Sequence, residues 1–201
     1  RIYSKAWLPH LDAIVDTLRT LDPLQRIFQK FGVRNVDGQK GGITLWGSEL
    51  PKTLIVEEHG IKFIVRPKKG QKTGLFLDQR THRKMIGDLA RDKVVSNLFS
   101  YNGGFSIYAA MNGAKRVYSV DIAPKAIEDA KDIFRLNGIN PDHHVFEATD
   151  AFQWQAPESI EVFVCDPPSL SKGKRSDSNA QQAYQNLAQS CAKQIQKGNL
   201  L

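Results

Sequence analysis

The pattern of hydrophobic and polar positions changes near residue 70. Before that point GGITLW, TLIVEE and IKFIVRP are short β-type runs, and EEHGIKF is typical of a tight turn between two strands. Within residues 7–31, Pro23 marks either a break or the start of a second helix. The apolar residues that recur there at helical spacing are Leu11, Ile14, Val15 and Leu18. A small α+β domain is therefore predicted over residues 1–70.

From about residue 75 short apolar runs alternate with amphipathic segments. The predicted strands are VVSNLF (94–99), RVYSVD (116–121), HHVFEA (143–148), IEVFVCD (160–166) and a strand that begins at 199–201. Helices are predicted over FSIYAAM, from Pro124 to Gly138, and over 180–196. This alternation predicts an α/β domain over residues 71–201 with a parallel sheet, whose ligands bind outside the carboxyl ends of the strands.

Composition limits the class of protein. The chain has 201 residues, of which 41% are hydrophobic and 24% charged, which suits one sizeable core, or one ordinary domain plus a small companion. No apolar run is long enough to span a membrane. Two cysteines 26 positions apart and scattered histidines favour neither a disulfide framework nor a metal site, so we expect a reducing cytoplasm and no metal. Because the chain lacks an initial Met and ends on KGNLL, we expect a fragment at both ends.

Positive charge is concentrated in one segment. The net charge is +7, and residues 66–93 alone hold nine Lys or Arg against three Asp, a balance of +6. Such clustering either neutralises the phosphates of a polyanionic partner or forms the solvated face of a helix. Charge alone leaves both readings open.

The first two strand ends carry residues suited to a nucleotide-like ligand. Gly103 and Gly104 allow close backbone approach, and the following helix directs free N–H groups at an anion; the alternative is a simple tight turn. The stretch is not a GxGxxG fingerprint, which disfavours a dinucleotide oxidoreductase. Asp121 at the next strand end is placed to accept from ribose hydroxyls; the alternative is that it caps the helix that begins near Pro124, and the two roles are not exclusive.

The last two strand ends carry carboxylates beside apolar or rigid residues. Asp150 can accept from a purine amine while Phe152 packs on the ring, although a surface Asp after a strand is common. Pro167 and Pro168 stop the fourth strand and form a stiff ledge with free carbonyls. That ledge can hold the polar edge of a flat base while Asp166 takes a proton or hydrogen bond. A plain rigid turn is the alternative.

In order and spacing these stretches resemble the class I S-adenosylmethionine-dependent methyltransferases. The similarity rests on NLFSYNGGFSIYAA, SVDIAPKAIEDAKDIFRLNG, ATDAF and CDPPSLSKGK, with KTGLFLDQRTHR and EEHGIKFIV before them, and covers about residues 40–201. More narrowly the chain resembles large-subunit ribosomal RNA methyltransferases of the cytosine-5 type that carry an N-terminal PUA domain. Asn102, where the family more usually has Thr, and Leu170, where an aromatic residue is common, depart from that pattern.

The resemblance implies a Rossmann-like sheet, C-terminally incomplete, that binds S-adenosylmethionine. Its methionine part would lie in the loop from Phe99 to Gly104 and its ribose on Asp121 and Ile122. Its adenine would lie on Asp150, Ala151 and Phe152. The cofactor-binding set is Phe99, Ser100, Tyr101, Gly103, Gly104, Asp121, Ile122, Asp150, Ala151, Phe152, Asp78 and Arg80, the last two near the charged amino-acid end or the substrate entrance. The catalytic set, which holds the target base, is Asp166, Pro167 and Pro168.

The implied substrate is RNA, with ribosomal RNA as the expected partner and the target base single-stranded or flipped out. The 1–70 domain is expected among the RNA contacts, a homodimer is left open, and the expected backbone contacts are Lys68, Lys69, Lys72, Arg83, Lys172, Lys174 and Arg175. Methylation of cytosine C5 requires a cysteine thiolate at C6. Strand alternation turns Cys165 away from Asp166, towards the face of Phe163, so Cys165 is expected in the wall, and Cys191 in the packing of its helix. The family's Ser-Cys-type motif is expected after the strand at 199–201.

Three other readings compete. An NAD-type oxidoreductase explains the sheet and Asp121 but not the Asp-Pro-Pro sequence. A non-catalytic RNA-binding module explains the basic stretch and predicts that loss of the Asp166 carboxylate leaves function intact. A methyltransferase for an exocyclic or ring nitrogen usually has an aromatic residue after the two prolines, where this chain has Ser169 and Leu170.

Overall fold

Nine strands and five α-helices account for most of the described chain in the computed structural model, which describes residues 5–21, 24–31, 42–68, 74–169 and 177–200. The helices are α1 (Leu11–Leu21), α2 (Arg80–Leu89), α3 (Gly104–Met111), α4 (Pro124–Leu136) and α5 (Asp177–Gln194). The strands are β1 (Arg26–Lys30), β2 (Gly42–Gly47), β3 (Leu54–Glu58), β4 (Ile61–Val65), β5 (Val94–Leu98), β6 (Arg116–Asp121), β7 (Val145–Ala148), β8 (Ile160–Cys165) and β9 (Ile195–Leu200).

Five strands form one parallel sheet in the order β7-β6-β5-β8-β9. The chain order reverses between β5 and β8, which is the switch point where sheets of this kind bind ligands. Central strand β5 is buried from Val95 to Leu98, as expected for a parallel strand covered on both faces. One core cluster on this sheet joins Leu98, Tyr118, Val120, Ala151, Trp154, Ile160, Phe163, Leu187 and Cys191. The predicted α/β fold with a Rossmann-like parallel sheet is confirmed.

The described chain falls into two compact units, Arg1–Ile55 with Val65–Phe76, and Val56–Ile64 with Leu77–Leu201. The hairpin residues Val56–Ile64 thus group with the parallel sheet. In the first unit β1 and β2 pair antiparallel. The division into domains at residues 1–70 and 71–201 stays a prediction.

Most predicted elements are present, with three differences. The chain after Pro23 forms strand β1, so the alternative of a second helix there is wrong; a bulge between Ile27 and Phe28 fits β1 to β2. Strand β7 starts two residues later than predicted because Pro141–His143 forms a 3₁₀ turn. Strand β9 starts at Ile195, four residues before the predicted start, directly after α5. The turn in EEHGIKF is confirmed, with both central residues, His59 and Gly60, at positive φ.

A buried polar network joins this turn to α2 and α3. The Arg83 guanidinium donates from Nε to Glu58 Oε1 (2.9 Å) and from Nη2 to Glu58 Oε2 (2.8 Å). The Tyr108 hydroxyl donates to Glu58 Oε1 at 2.9 Å and accepts from His59 Nδ1 at 2.9 Å. Burial alone would raise the pKa of Glu58, but the hydrogen bonds from Arg83 and Tyr108 outweigh it and hold the pKa below its usual range. Burial and the Glu58 carboxylate raise the pKa of Tyr108.

We expect Arg83→Met to lower the free energy of unfolding by about 3–5 kcal/mol, because it leaves the Glu58 carboxylate buried without a counter-charge. The matched control is Lys84→Met on the same helix. Its ion pair with Asp88 has both side chains more than half exposed, so the expected loss is below ~1 kcal/mol. Urea unfolding followed by circular dichroism measures both. Equal losses in the two variants would show that the buried pair has no special role.

Candidate functional site

The strand order brings all four predicted strand ends to one edge of the sheet. Parallel neighbours lie about 4.8 Å apart, so the segments that follow β7, β6, β5 and β8 adjoin one another in that order. Asp150, Asp121, the loop 99–104 and Asp166 therefore occupy successive places along the edge. Phe99 and Asp166, 67 positions apart in sequence, come to this edge because each follows one of two neighbouring strands of the same sheet.

The loop after β5 holds three residues in the left-handed region. Phe99 has φ 56°, Tyr101 φ 50° and Gly103 φ 74°. For the two non-glycine residues this conformation costs on the order of 1–2 kcal/mol each. At Gly103 a side chain is excluded twice, by its φ and because a Cβ there would lie 2.9 Å from Cβ of Ala130. Such concentrated strain at a strand end is typical of a binding loop.

Asp121, the last residue of β6, is joined to this loop by a hydrogen bond. Its Oδ2 accepts from the Tyr101 N–H at 2.8 Å, and its Oδ1 accepts from the Ala123 N–H at 2.9 Å. The residue at the N-cap of α4 is Ala123, with no side-chain cap bond, so the alternative role of Asp121 as helix cap is wrong. Each carboxylate oxygen keeps a second lone pair that can accept from a ligand hydroxyl.

Apolar side chains beside the carboxylates stay in solvent. Ile122 is 73% exposed and Phe152 is 39% exposed, while the Phe99 ring lies edge-on to Phe152 with centroids 5.2 Å apart. The Asp150 Oδ1 accepts from the Phe152 N–H at 3.0 Å, which fixes that ring next to the carboxylate. Exposed apolar surface beside hydrogen-bond acceptors suits a flat, amine-bearing ring.

Two further residues of the predicted cofactor set are buried. The Ser100 side chain is 5% exposed, and its Oγ has no hydrogen-bond partner among the described residues. A buried hydroxyl without a partner in a strained loop fits a site completed by a polar ligand. Ala151 belongs to the same core cluster as Trp154, so its side chain packs into the core and not into the site. The residues present therefore fit an adenosyl cofactor with a charged amino-acid end.

Beyond β8 the edge opens into a cleft of about 660 Å³. Asp166 is exposed at its rim, and Pro167 is half-buried. Helix α5 reaches the second proline, because the Tyr184 hydroxyl lies 3.5 Å from the Pro168 carbonyl oxygen. The lining is mainly apolar, with a few polar groups: Gln79, His82, Met85, Ile86, Phe105, Phe163, Val164, Cys165, Asp166, Pro167, Tyr184, Leu187, Ala188 and Cys191.

Cys165 forms part of the cleft wall. It packs against the core cluster that holds Phe163 and Cys191, on the face that strand alternation predicts. The hydrogen bond with the Cys191 thiol, together with burial, raises the pKa of Cys165 well above the ordinary thiol range. A thiol in this state is a poor nucleophile at neutral pH.

Of the seven residues expected to contact RNA, two lie in the part of the chain that the structure describes. Lys68 pairs with Glu49 (Nζ to Oε2, 2.9 Å) and is partly exposed. Arg83 is 2% exposed and saturated by Glu58, so its expected contact with RNA is corrected: the side chain is an internal counter-charge. Five of the residues fall outside the described residues: Lys69, Lys72, Lys172, Lys174 and Arg175. Of the remaining cofactor set, Asp78 and Arg80 are exposed where a 3₁₀ turn meets α2.

Sequence reasoning missed Gln79, His82 and Tyr184 as cleft residues. Gln79 and His82 lie inside the stretch KTGLFLDQRTHR, whose positive charge and family resemblance do not indicate which of its side chains face a cleft. Tyr184 belongs to an amphipathic helix, where an aromatic residue is ordinarily packing. Among the described residues no group of three or more metal-ligating side chains is found, and no helix there is long and apolar enough to cross a membrane.

The fold and the strand-end residues define the class of nucleotide-cofactor α/β proteins with a Rossmann-like sheet. The family model for S-adenosylmethionine-dependent methyltransferases matches residues 39–200, and the chain belongs to that family.

Among its relatives is a ribosomal RNA large subunit methyltransferase of Deinococcus radiodurans, 31% identical over 211 residues that cover 100% of this chain and 52% of the relative. Ribosomal RNA large subunit methyltransferase I of Vibrio parahaemolyticus is 35% identical over 185 residues, which cover 87% of this chain and 47% of that relative. The chain thus spans about half the length of the curated relatives it matches.

Solved structures share the fold. A structure described as a SAM-dependent methyltransferase from Streptococcus mutans superposes with a TM-score of 0.79 at 27% identity, covering 98% of this chain and 52% of that one. A methyltransferase solved in complex with SAH gives a TM-score of 0.80 at 26% identity, covering 98% and 52%.

We expect Asp121→Asn to weaken binding of S-adenosylhomocysteine by about 10- to 100-fold. The amide replaces one acceptor oxygen with a donor, so either a backbone N–H or a ligand hydroxyl loses its partner. Isothermal titration calorimetry measures the affinity. Asp142→Asn, an exposed carboxylate in the Pro141–His143 turn, is the control and keeps the wild-type affinity. Unchanged affinity in Asp121→Asn would remove Asp121 from the cofactor site.

Proposed function

We propose that this protein transfers a methyl group from S-adenosylmethionine to a base of large-subunit ribosomal RNA, with C5 of cytosine as the acceptor atom. One observation carries the proposal: three carboxylates and a strained loop lie on one sheet edge, beside a cleft that ends at Asp166. The curated relatives are named as ribosomal RNA large subunit methyltransferases, which supports ribosomal RNA as the substrate class. A cytoplasmic location belongs to the same proposal, and nothing in the comparisons supports a homodimer.

The cofactor is assigned to the edge formed by the ends of β5, β6 and β7. Its amino-acid end would lie in the loop 99–104, its ribose hydroxyls would donate to Asp121, and its adenine would lie between Ile122 and Phe152 with the amine on Asp150. When bound, it supplies an electrophilic methyl group on a sulfonium. The task of the chain is then to hold the acceptor in line with that methyl group and to exclude water.

The target base is assigned to the cleft beside Asp166. A base stacked in a helix cannot reach a recessed cleft, so the nucleotide must be single-stranded or flipped out. The carbonyls of the two prolines form a rigid edge because both φ angles are fixed. Asp166 is exposed at that edge and can accept a hydrogen bond from the base. Of the expected backbone contacts, Lys68 is the described residue that stays available at the surface.

The choice of C5 rests on the motif resemblance. Reaction at C5 needs a thiolate that adds to C6. Once the methyl group is in place, the C5 hydrogen leaves as a proton and the thiolate is expelled from C6, which restores the C5–C6 double bond. Cys165, whose thiol pKa is raised, and Cys191, which is buried, do not suit that role. We therefore assign the thiolate to the Ser-Cys-type motif expected after β9.

Ribosomal RNA transcripts that carry tritium at C5 of cytidine test the proposal directly. A protein that includes the residues after β9, to which the thiolate is assigned, is expected to release tritium into water in step with transfer of labelled methyl groups from S-adenosylmethionine to the RNA. Asp166→Asn should slow both by about 100-fold while S-adenosylhomocysteine still binds. The control Asp88→Asn changes an exposed carboxylate on α2 and keeps the wild-type rate.

Methyl transfer without tritium release would contradict C5 and indicate a base nitrogen. Absence of methyl transfer to any ribosomal RNA would contradict the proposed function. Full activity in Asp166→Asn would show that the ledge does not hold the base.

A further inference from the structure

Two side chains at the start of α2 form a hydrogen-bonded pair in the cleft. His82 Nδ1 lies 2.8 Å from the Gln79 carboxamide oxygen, one helical turn away. An amide oxygen accepts and never donates, so the hydrogen of this bond is on Nδ1. In the neutral imidazole the other nitrogen, Nε2, is then an acceptor. Both residues line the cleft that contains Asp166.

The cleft therefore presents two acceptors among largely apolar walls. One is the Asp166 carboxylate at the end of β8, and the other is His82 Nε2 on α2. Met85, Phe105 and Leu187 supply apolar surface between the helices, and Tyr184 adds an aromatic ring beside the proline ledge. A flat ring with an amine at its edge matches this combination, because the ring packs on apolar and aromatic faces while the amine donates to acceptors.

We propose that His82 is a specificity-determining residue, whose Nε2 accepts a hydrogen bond from the exocyclic amine of the target cytosine. The inference rests on the proposed function and deepens it, since it names the group that distinguishes cytosine from uracil. Gln79 acts as the positioning residue: its carboxamide oxygen holds the hydrogen on Nδ1 and so keeps Nε2 as the acceptor.

The discrimination follows from the edges of the two pyrimidines. Cytosine carries an amine at C4, whereas uracil carries a carbonyl oxygen at the same place. The amine donates to His82 Nε2, but the uracil oxygen would face an acceptor with no hydrogen between them. His82 is exposed in the free protein. When a bound base covers its acceptor nitrogen without offering a donor, the free energy of that nitrogen's hydrogen bond with water is lost. One such bond corresponds to about a fivefold difference in affinity.

The neutral nucleosides cytidine and uridine test this assignment without contributions from phosphate contacts. Each is titrated into the protein saturated with S-adenosylhomocysteine, and dissociation constants are read from the imidazole Cε1–H resonance of His82 and the ring resonances of Tyr184. We expect cytidine to bind about fivefold more tightly than uridine. His82→Ala should lower that ratio, as read from Tyr184, and His82→Gln, which keeps an acceptor oxygen, should restore part of it.

The matched control is His143→Ala, an exposed histidine in the Pro141–His143 turn, which is expected to keep the wild-type ratio. Equal binding of the two nucleosides, a ratio that survives in His82→Ala, or nucleoside binding that leaves the His82 resonance unmoved overturns the inference. Failure of S-adenosylhomocysteine to bind the wild-type chain contradicts the proposed function instead. The two failures are therefore distinguished in one sample.

Discussion

The hydrogen bond from the Tyr101 N–H to the Asp121 carboxylate organises the whole candidate site. This bond, with an N···O distance of 2.8 Å, joins the loop after β5 to the end of β6 at the carboxyl edge of the parallel sheet. Together with the bond from the Ser100 N–H to the Val120 carbonyl oxygen at 2.9 Å, it helps to offset the backbone strain of this loop, in which Phe99 and Tyr101 are left-handed. The same carboxylate is the group assigned to the cofactor ribose. The conformation of the loop and the proposed recognition of the ribose thus involve the same side chain.

The buried ion pair of Glu58 and Arg83 contacts the same loop at its last residue, Gly104. A Cβ at position 104 would lie 3.3 Å from Arg83 Cδ, so the first turn of α3 rests on the arginine side chain. Its partner Glu58 comes from the hairpin, and Tyr108 of α3 binds the same carboxylate. The hairpin, α2 and α3 are therefore joined by hydrogen bonds to the Glu58 carboxylate, next to the end of this loop. A charge that the sequence assigns to RNA binding is used inside the protein instead.

The chemistry at the strand ends was predictable because each signal is local. Asp121 directly ends an apolar run, Asp150 follows one within two residues, and the prolines after Asp166 can only stop a strand. A parallel sheet then brings these residues to one edge without further information. The burial of Arg83 was not predictable, since its partner lies 25 residues away and a basic run gives no sign of which member is internal. The cleft was missed for the same reason: His82 and Tyr184 meet Asp166 only through packing of α2 and α5.

The same distinction explains the differences in secondary structure. Strand β1 follows a helix and a proline, and its strand character comes from pairing with β2, a contact across the first unit that local periodicity does not report. Assignment of residues to the cleft likewise needs the tertiary structure. The residues assigned to the cofactor follow single strands, whereas the residues assigned to the base lie both after β8 and on the helices α2 and α5.

Amide hydrogen exchange with and without S-adenosylhomocysteine tests the central claim that the sheet edge is one cofactor site. Binding is expected to slow exchange in three separate segments together, residues 99–104, 121–123 and 150–152, because the ligand closes the same edge over all of them. Exchange in the β1–β2 pair should stay unchanged. Protection confined to one of the three segments, or none at all, would contradict the account.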